Sequence, residues 1–248
     1  MNDFRDRRPM RGSFADATAR PGTAAIDEGL RSYMLGVYNY MALGIAATAL
    51  IAMLMVANPA IASIFLGPVK FVPFIGILAI GFFAPRMIFS GSPAMAHGVY
   101  WLYVALWGAL IGPVIAVYVG AGLATEVYKA FFITASVFGA LSLYGYTTKR
   151  DLAPMGKFLF MASVGLLLAI VVNIFVQSTL FSLITSCGVV LVFSGVTAWE
   201  TQMIKNLYQE GAHEMNKRAS ILGAFALYGS FVTLFIHILN ILGIMRGD

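Results

Sequence analysis

The chain has 248 residues, 60% of them hydrophobic and 11% charged, with a net charge of +5 and a mean hydropathy of +0.84. An ordinary globular domain carries about 25% charged residues, so this chain cannot clothe a water-soluble surface, and it is expected to be an all-α membrane protein with the bilayer as solvent. The positive balance does not point to nucleic acid: fourteen of the 27 charged residues lie between Tyr33 and Met245, in short clusters at loop ends rather than on one face, a pattern set by membrane topology.

The first residues carry Arg5, Arg7, Arg8, Arg11, Arg20 and Arg31 against Asp3, Asp6, Asp16, Asp27 and Glu28, with Pro9 and Pro21. So polar a stretch reads as a disordered cytoplasmic tail over 1–26, without a cleavable signal, ahead of a membrane domain over 27–248. Seven apolar stretches then predict membrane helices over 33–56, 71–90, 98–119, 127–147, 157–176, 179–200 and 220–245. Asn58-Pro59, Gly91-Ser92-Pro93 and Gly120-Ala121-Gly122 close the first three, and Lys149-Arg150-Asp151 with Pro154 closes the fourth. Only Gln177-Ser178 divides the fifth from the sixth. With the N-terminus in the cytoplasm, thirteen Lys and Arg fall on the inner side and three (Lys70, Lys129 and Arg246) on the outer. The positive-inside bias therefore predicts that orientation, with the C-terminus outside if the last segment spans fully.

Small residues recur at about one turn: Gly108 and Gly112 in the third helix, Gly139, Ala140 and Ser142 in the fourth, Gly223, Ala226 and Gly229-Ser230 in the seventh. Such spacing lets helix backbones approach closely. The single cysteine, Cys187, excludes an intramolecular disulfide and reads as a small buried hydrophobe.

Ionisable side chains at membrane depth are costly unless paired or hydrated, which makes Arg86, Glu200 and His237 candidates for function. Arg86 and Glu200 lie at the inner ends of the second and sixth helices, and an ion pair between them is the expectation. In the seventh helix Ser230, Thr233, His237 and Asn240 fall within an arc of roughly 80°. One polar face on an apolar helix belongs against the bundle interior or a water-filled path. Enzyme readings fail: Ser230 and His237 sit about 10 Å apart along one helix, too far for a nucleophile and its base. His97 and His213 are placed in loops. No zinc-like cluster, phosphate loop or Schiff-base lysine in the seventh helix is present.

The chain resembles the Bax inhibitor-1 family, in its bacterial branch, over residues 27–243. The resemblance rests on Asp27-Glu28-Gly29-Leu30-Arg31, Tyr38-Asn39-Tyr40-Met41 and Phe132-Ile133-Thr134-Ala135. It rests above all on the run from Gly139 to Asp151, followed by Ala198-Trp199-Glu200-Thr201-Gln202 and Ala226-Leu227-Tyr228. It implies six helices around a central seventh, and a pH-sensitive calcium leak in the bacterial inner membrane. The gate it implies is a pair of aspartates sharing a proton, with an arginine of the second helix latched onto the first aspartate. Glu200 takes the first aspartate's place, as a weak ligand for a transient calcium or other cation, and Arg86 takes the arginine's. The sequence departs at Leu227-Tyr228-Gly229-Ser230-Phe231-Val232-Thr233, where the family usually has Leu-Tyr-Leu-Asp-Phe-Ile-Asn. Ser230 and Thr233 thus replace the second aspartate and an asparagine. Besides lipid, the partners implied are a cation or, in the alternative reading of a non-conducting scaffold, a membrane complex such as a quality-control protease. No resident cofactor is implied.

Overall fold

The computed structural model describes residues 21–246, with side chains from Glu28 onward. Eight helices follow one another: α1 (Pro21–Ala57), α2 (Pro59–Leu66), α3 (Phe71–Ser90), α4 (Pro93–Gly120), α5 (Ala124–Thr147), α6 (Ala153–Val176), α7 (Thr179–Asn206) and α8 (His213–Arg246), with a single 3-10 turn at Pro68–Lys70. All but α2 are long and apolar enough to cross a membrane, so the seven predicted spans are present. Within the membrane only closed helices satisfy their own backbone groups, and no strand occurs among the described residues.

The helices overrun the apolar stretches because backbone hydrogen bonding continues into the interface, where chemical caps decide where it stops. Ser92 caps α4 by accepting from the Met95 amide, with Pro93 in the first turn. His97 is therefore in the first turns of α4 and His213 opens α8, rather than both being in loops. Gln177, at φ +52°, makes the two-residue turn between α6 and α7. Ser178 then caps α7, and its own amide is held by Asn173. At the other end of the chain α1 begins at Pro21, inside the stretch read as tail, where Ala24 and Ala25 favour helix. Residues 1–20 of that expected tail lie outside the described residues. Between α1 and α3, α2 and the 3-10 turn occupy what reads in the sequence as a plain loop, each opened by a proline.

Helix α8 has 72% of its apolar window buried, against 6–33% for the other six spans. It packs on α1, α3, α4, α5 and α7. Helix α6 packs on α7, buries only Gly156 and Leu159 and faces α8 across a cavity, so five of the six helices expected around the last span pack directly on it. Lipid is as apolar as leucine, so packing detail rather than water exclusion holds such helices together. That detail is visible where α4 meets α1: a side chain at Gly108 would run into Ile51, and one at Gly112 into Met55. Gly223 is likewise filled from Ile204 and Val37, whereas Gly139 faces open space. Around α8 the aromatic rings interlock, with Tyr103 stacked on Phe225 at 4.0 Å and the Tyr228 hydroxyl 2.6 Å from that of Thr48. Cys187, expected to be buried, is exposed on the outer side of α7.

The start of α8 is tied to the end of α3 by one side chain. Arg218 Nη1 donates to the carbonyls of Ile88 (2.9 Å), Phe89 (3.1 Å) and Gly91 (2.6 Å), acceptors that the helix end leaves without partners. Arg218→Met, which keeps the stem and removes the charge, is expected to lower stability by about 1.5–3 kcal/mol. Thermal unfolding of the two proteins in the same detergent measures it.

Candidate functional site

Ser230, Thr233, His237 and Asn240 of α8 face protein groups or a cavity, in two tiers. In the first, midway along α8, Ser230 is 2% exposed and donates to Glu200 Oε2 at 2.6 Å. Glu200 sits on α7 beside the buried Thr197 and Thr201. A buried hydroxyl network lies on the same helix: Thr201 is 3.0 Å from Ser142 of α5, which is 2.6 Å from the Tyr38 hydroxyl of α1. The packing that brings these groups together depends on Gly145, whose hydrogen faces the Ala198 carbonyl across the α5–α7 contact.

The expected ion pair between Arg86 and Glu200 does not form. Arg86 is exposed on α3, and Glu200 has a hydroxyl for its partner. The reason is angular. Ala84 and Ile88 turn α3 inward, and Arg86 between them lies round the helix on the outer side. The arginine that does join the second span to the last is Arg218, and it holds main-chain carbonyls rather than a carboxylate.

About 10 Å further along α8 lies the second tier. His237 Nδ1 is 3.0 Å from Ser186 Oγ of α7, and Asn240 Nδ2 donates to both Ser182 and Ser186 at 2.9 Å. Thr233, His237 and Asn240 are half-buried because they line a cavity of about 810 Å³, bounded by α3 and α4 on one side and by α6 and α7 on the other. Ser186 brings a hydroxyl within reach of His237, as Ser230 could not. It is only 2% exposed, already engaged by Asn240, and among the described residues no carboxylate pairs with His237. The group is a hydrogen-bond network between α7 and α8 rather than a nucleophile with its base.

The far end of α8 carries a feature that sequence reasoning missed. Glu126, with its side chain 6% exposed, accepts from Lys129 at 3.1 Å and from Arg246 at 2.7 Å, which joins the start of α5 to the end of α8. An acidic residue in the first turn of a helix is the only trace of it in the sequence. Ser182 and Ser186 left no trace either, since serine is unremarkable in a membrane helix.

The family model for the inhibitor of apoptosis-promoting Bax1 matches residues 30–247. The chain belongs to the Bax inhibitor-1 family. It is 41% identical over 230 residues to the uncharacterized protein RP147 of Rickettsia prowazekii, covering 89% of this chain and 92% of that one. An uncharacterized protein of Caulobacter vibrioides is 36% identical over 98% of both chains. The inner membrane protein YbhL of Escherichia coli is 37% identical over 88% of this chain and 94% of its own. Within this Bax inhibitor-1 family member Glu200 and Ser230 stand in direct contact. The position where the resemblance implies a second carboxylate is therefore against the first, occupied by a hydroxyl.

Proposed function

We propose that the protein is a cation leak of the bacterial inner membrane, with calcium as the ion and the contact of Glu200 with Ser230 as its narrow point. The carrying observation is a carboxylate inside the bundle whose hydrogen-bond partner is a hydroxyl and not a cation. A carboxylate so placed attracts positive charge, and its hard oxygens suit calcium. One carboxylate offers no closed coordination sphere, so an ion would pass rather than stay.

The route would follow α8. It would run from Glu200 and Ser230 past Thr233 to the cavity lined by His237 and Asn240, and leave by the end that Glu126 and Arg246 hold together. The N-terminus would be cytoplasmic, on the strength of the thirteen-to-three charge count. The inner membrane is supported by the name of the YbhL relative.

The test is calcium flux from loaded proteoliposomes. Glu200→Gln keeps the shape and a hydrogen-bond acceptor but removes the charge, and is expected to slow efflux about tenfold, equivalent to roughly 1.4 kcal/mol in the barrier. Efflux no faster from vesicles with the protein than from vesicles without it would end the proposal.

A further inference from the structure

The cavity beside α8 is deep, largely apolar and bounded by helices that face lipid, which raises the question of what fills it in a bilayer. Its walls are Phe71, Phe74 and Ile77 of α3 on one side and Ser163, Leu167 and Ile170 of α6 on the other. Helix α3 packs on α4 and α8 while α6 packs on α7, so the space lies along the seam between those two groups. Phe71, Leu78, Phe160 and Val164 at its rim are 39–70% exposed, on the surfaces that meet hydrocarbon. On α6 the lining runs from Phe160 to Asn173, about 20 Å at the helical rise. One leaflet of a hydrocarbon core is about 15 Å deep. The volume of about 810 Å³ falls in the range of roughly 300–1,000 Å³ usual for ligand sites.

Charge at the mouth indicates the ligand. Lys70, in the 3-10 turn that precedes α3, lines the cavity and is exposed. The same end of the bundle carries two other cations among the described residues, Lys129 and Arg246, and both are engaged by Glu126. Lys70 alone of the three has no carboxylate partner among the described residues; its ammonium lies over the Phe71 ring, 5.6 Å from the centroid. The Trp107 indole nitrogen is a second unmatched group: it is a buried donor without a partner, on a residue that lines the same cavity.

We propose that this seam binds an anionic glycerophospholipid of the adjacent leaflet, with one acyl chain between α3 and α6 and the headgroup phosphate at Lys70. Apolar walls one leaflet deep suit the chain, and an exposed ammonium held only by the Phe71 ring among the described residues suits the phosphate. The site lies apart from Glu200 and Ser230 but shares its cavity with the proposed ion route, which a chain seated between α3 and α6 would narrow; lipid retention is read without any flux measurement.

The experiment uses the full chain reconstituted in vesicles of equimolar phosphatidylglycerol and phosphatidylcholine, released into mild detergent and weighed by native mass spectrometry. The expected result is one retained phosphatidylglycerol per chain, enriched about fivefold over phosphatidylcholine. Lys70→Glu, at an exposed position, should abolish the enrichment. Ser163→Phe, which fills the α6 wall, should abolish retention. Three results would overturn the proposal: no lipid retained by the unaltered protein, equal retention of the two lipids, or enrichment unchanged by Lys70→Glu.

Discussion

Ser230→Asp is expected to make the calcium flux more steeply pH-dependent than that of the parent chain. Ser230 Oγ lies 2.6 Å from Glu200 Oε2, and both residues are fixed by helix packing, Ser230 among sixteen buried positions of α8. An aspartate there puts two carboxylates at hydrogen-bond distance with no cation paired to either. Like charges so close cannot both ionise freely, and such pairs titrate in two steps with one proton shared between them. In acid the pair holds its shared proton and the path is closed by a short hydrogen bond. As pH rises that proton leaves, the carboxylates repel, and a divalent cation can take its place. Flux through Ser230→Asp should therefore rise about tenfold between pH 5 and pH 8, while Ser230→Ala, which leaves Glu200 as the one carboxylate, should show a smaller rise. A flat profile in the aspartate variant would show that the contact is not on the ion's route.

The largest effect on folding is expected at Gly145. A side chain there would strike the Ala198 carbonyl group on the facing α7 backbone, with the Ala198 carbon and Cα at 3.0 and 3.1 Å. Backbone cannot rotate out of the way as a side chain can, so α5 would have to withdraw. The hydrogen bonds of Ser142 with Thr201 and Tyr38, one turn away, would be lost with it. Gly145→Ala should cost about 1–3 kcal/mol as overpacking, and Gly145→Leu should leave no folded protein to purify. Gly139 supplies the comparison, since its position on the same helix is open. Gly139→Ala should melt within a degree or two of the parent or slightly above it, because alanine is the better helix former. Detergent-solubilised thermal unfolding of the three proteins separates contact at Gly145 from a general effect of altering glycine in α5.

The spans were legible in the sequence because length and hydropathy alone define them. The division at Gln177 and Ser178 rested on two polar residues alone, and the left-handed backbone that makes the turn there is visible only in the fold. What hydropathy lacks is angle. Core and lipid are equally apolar, so a helix such as α3 gives little sign of which face is inward, and Arg86 could be placed at the right depth on the wrong side. Helix α8 escaped that ambiguity because Ser230, Thr233, His237 and Asn240 share an arc, and all four do face protein or cavity. Their partners were another matter. Ser186 and Ser182 are short hydroxyls among many, and nothing local marks them as the residues opposite His237 and Asn240. Glu126 was hidden for a different reason: its partner Arg246 lies 120 residues away, and only the folded bundle brings the two together.

Because Arg218 grips carbonyl oxygens, the fastening between α3 and α8 is blind to which side chains occupy positions 88, 89 and 91. Phe89 can be exchanged without loosening it, whereas Ile88 is held by the core and a side chain at Gly91 would strike the Met87 carbonyl. One guanidinium thus ties the peptide path at the end of α3 to the start of α8, while the buried side chains beside it set how closely the two helices lie.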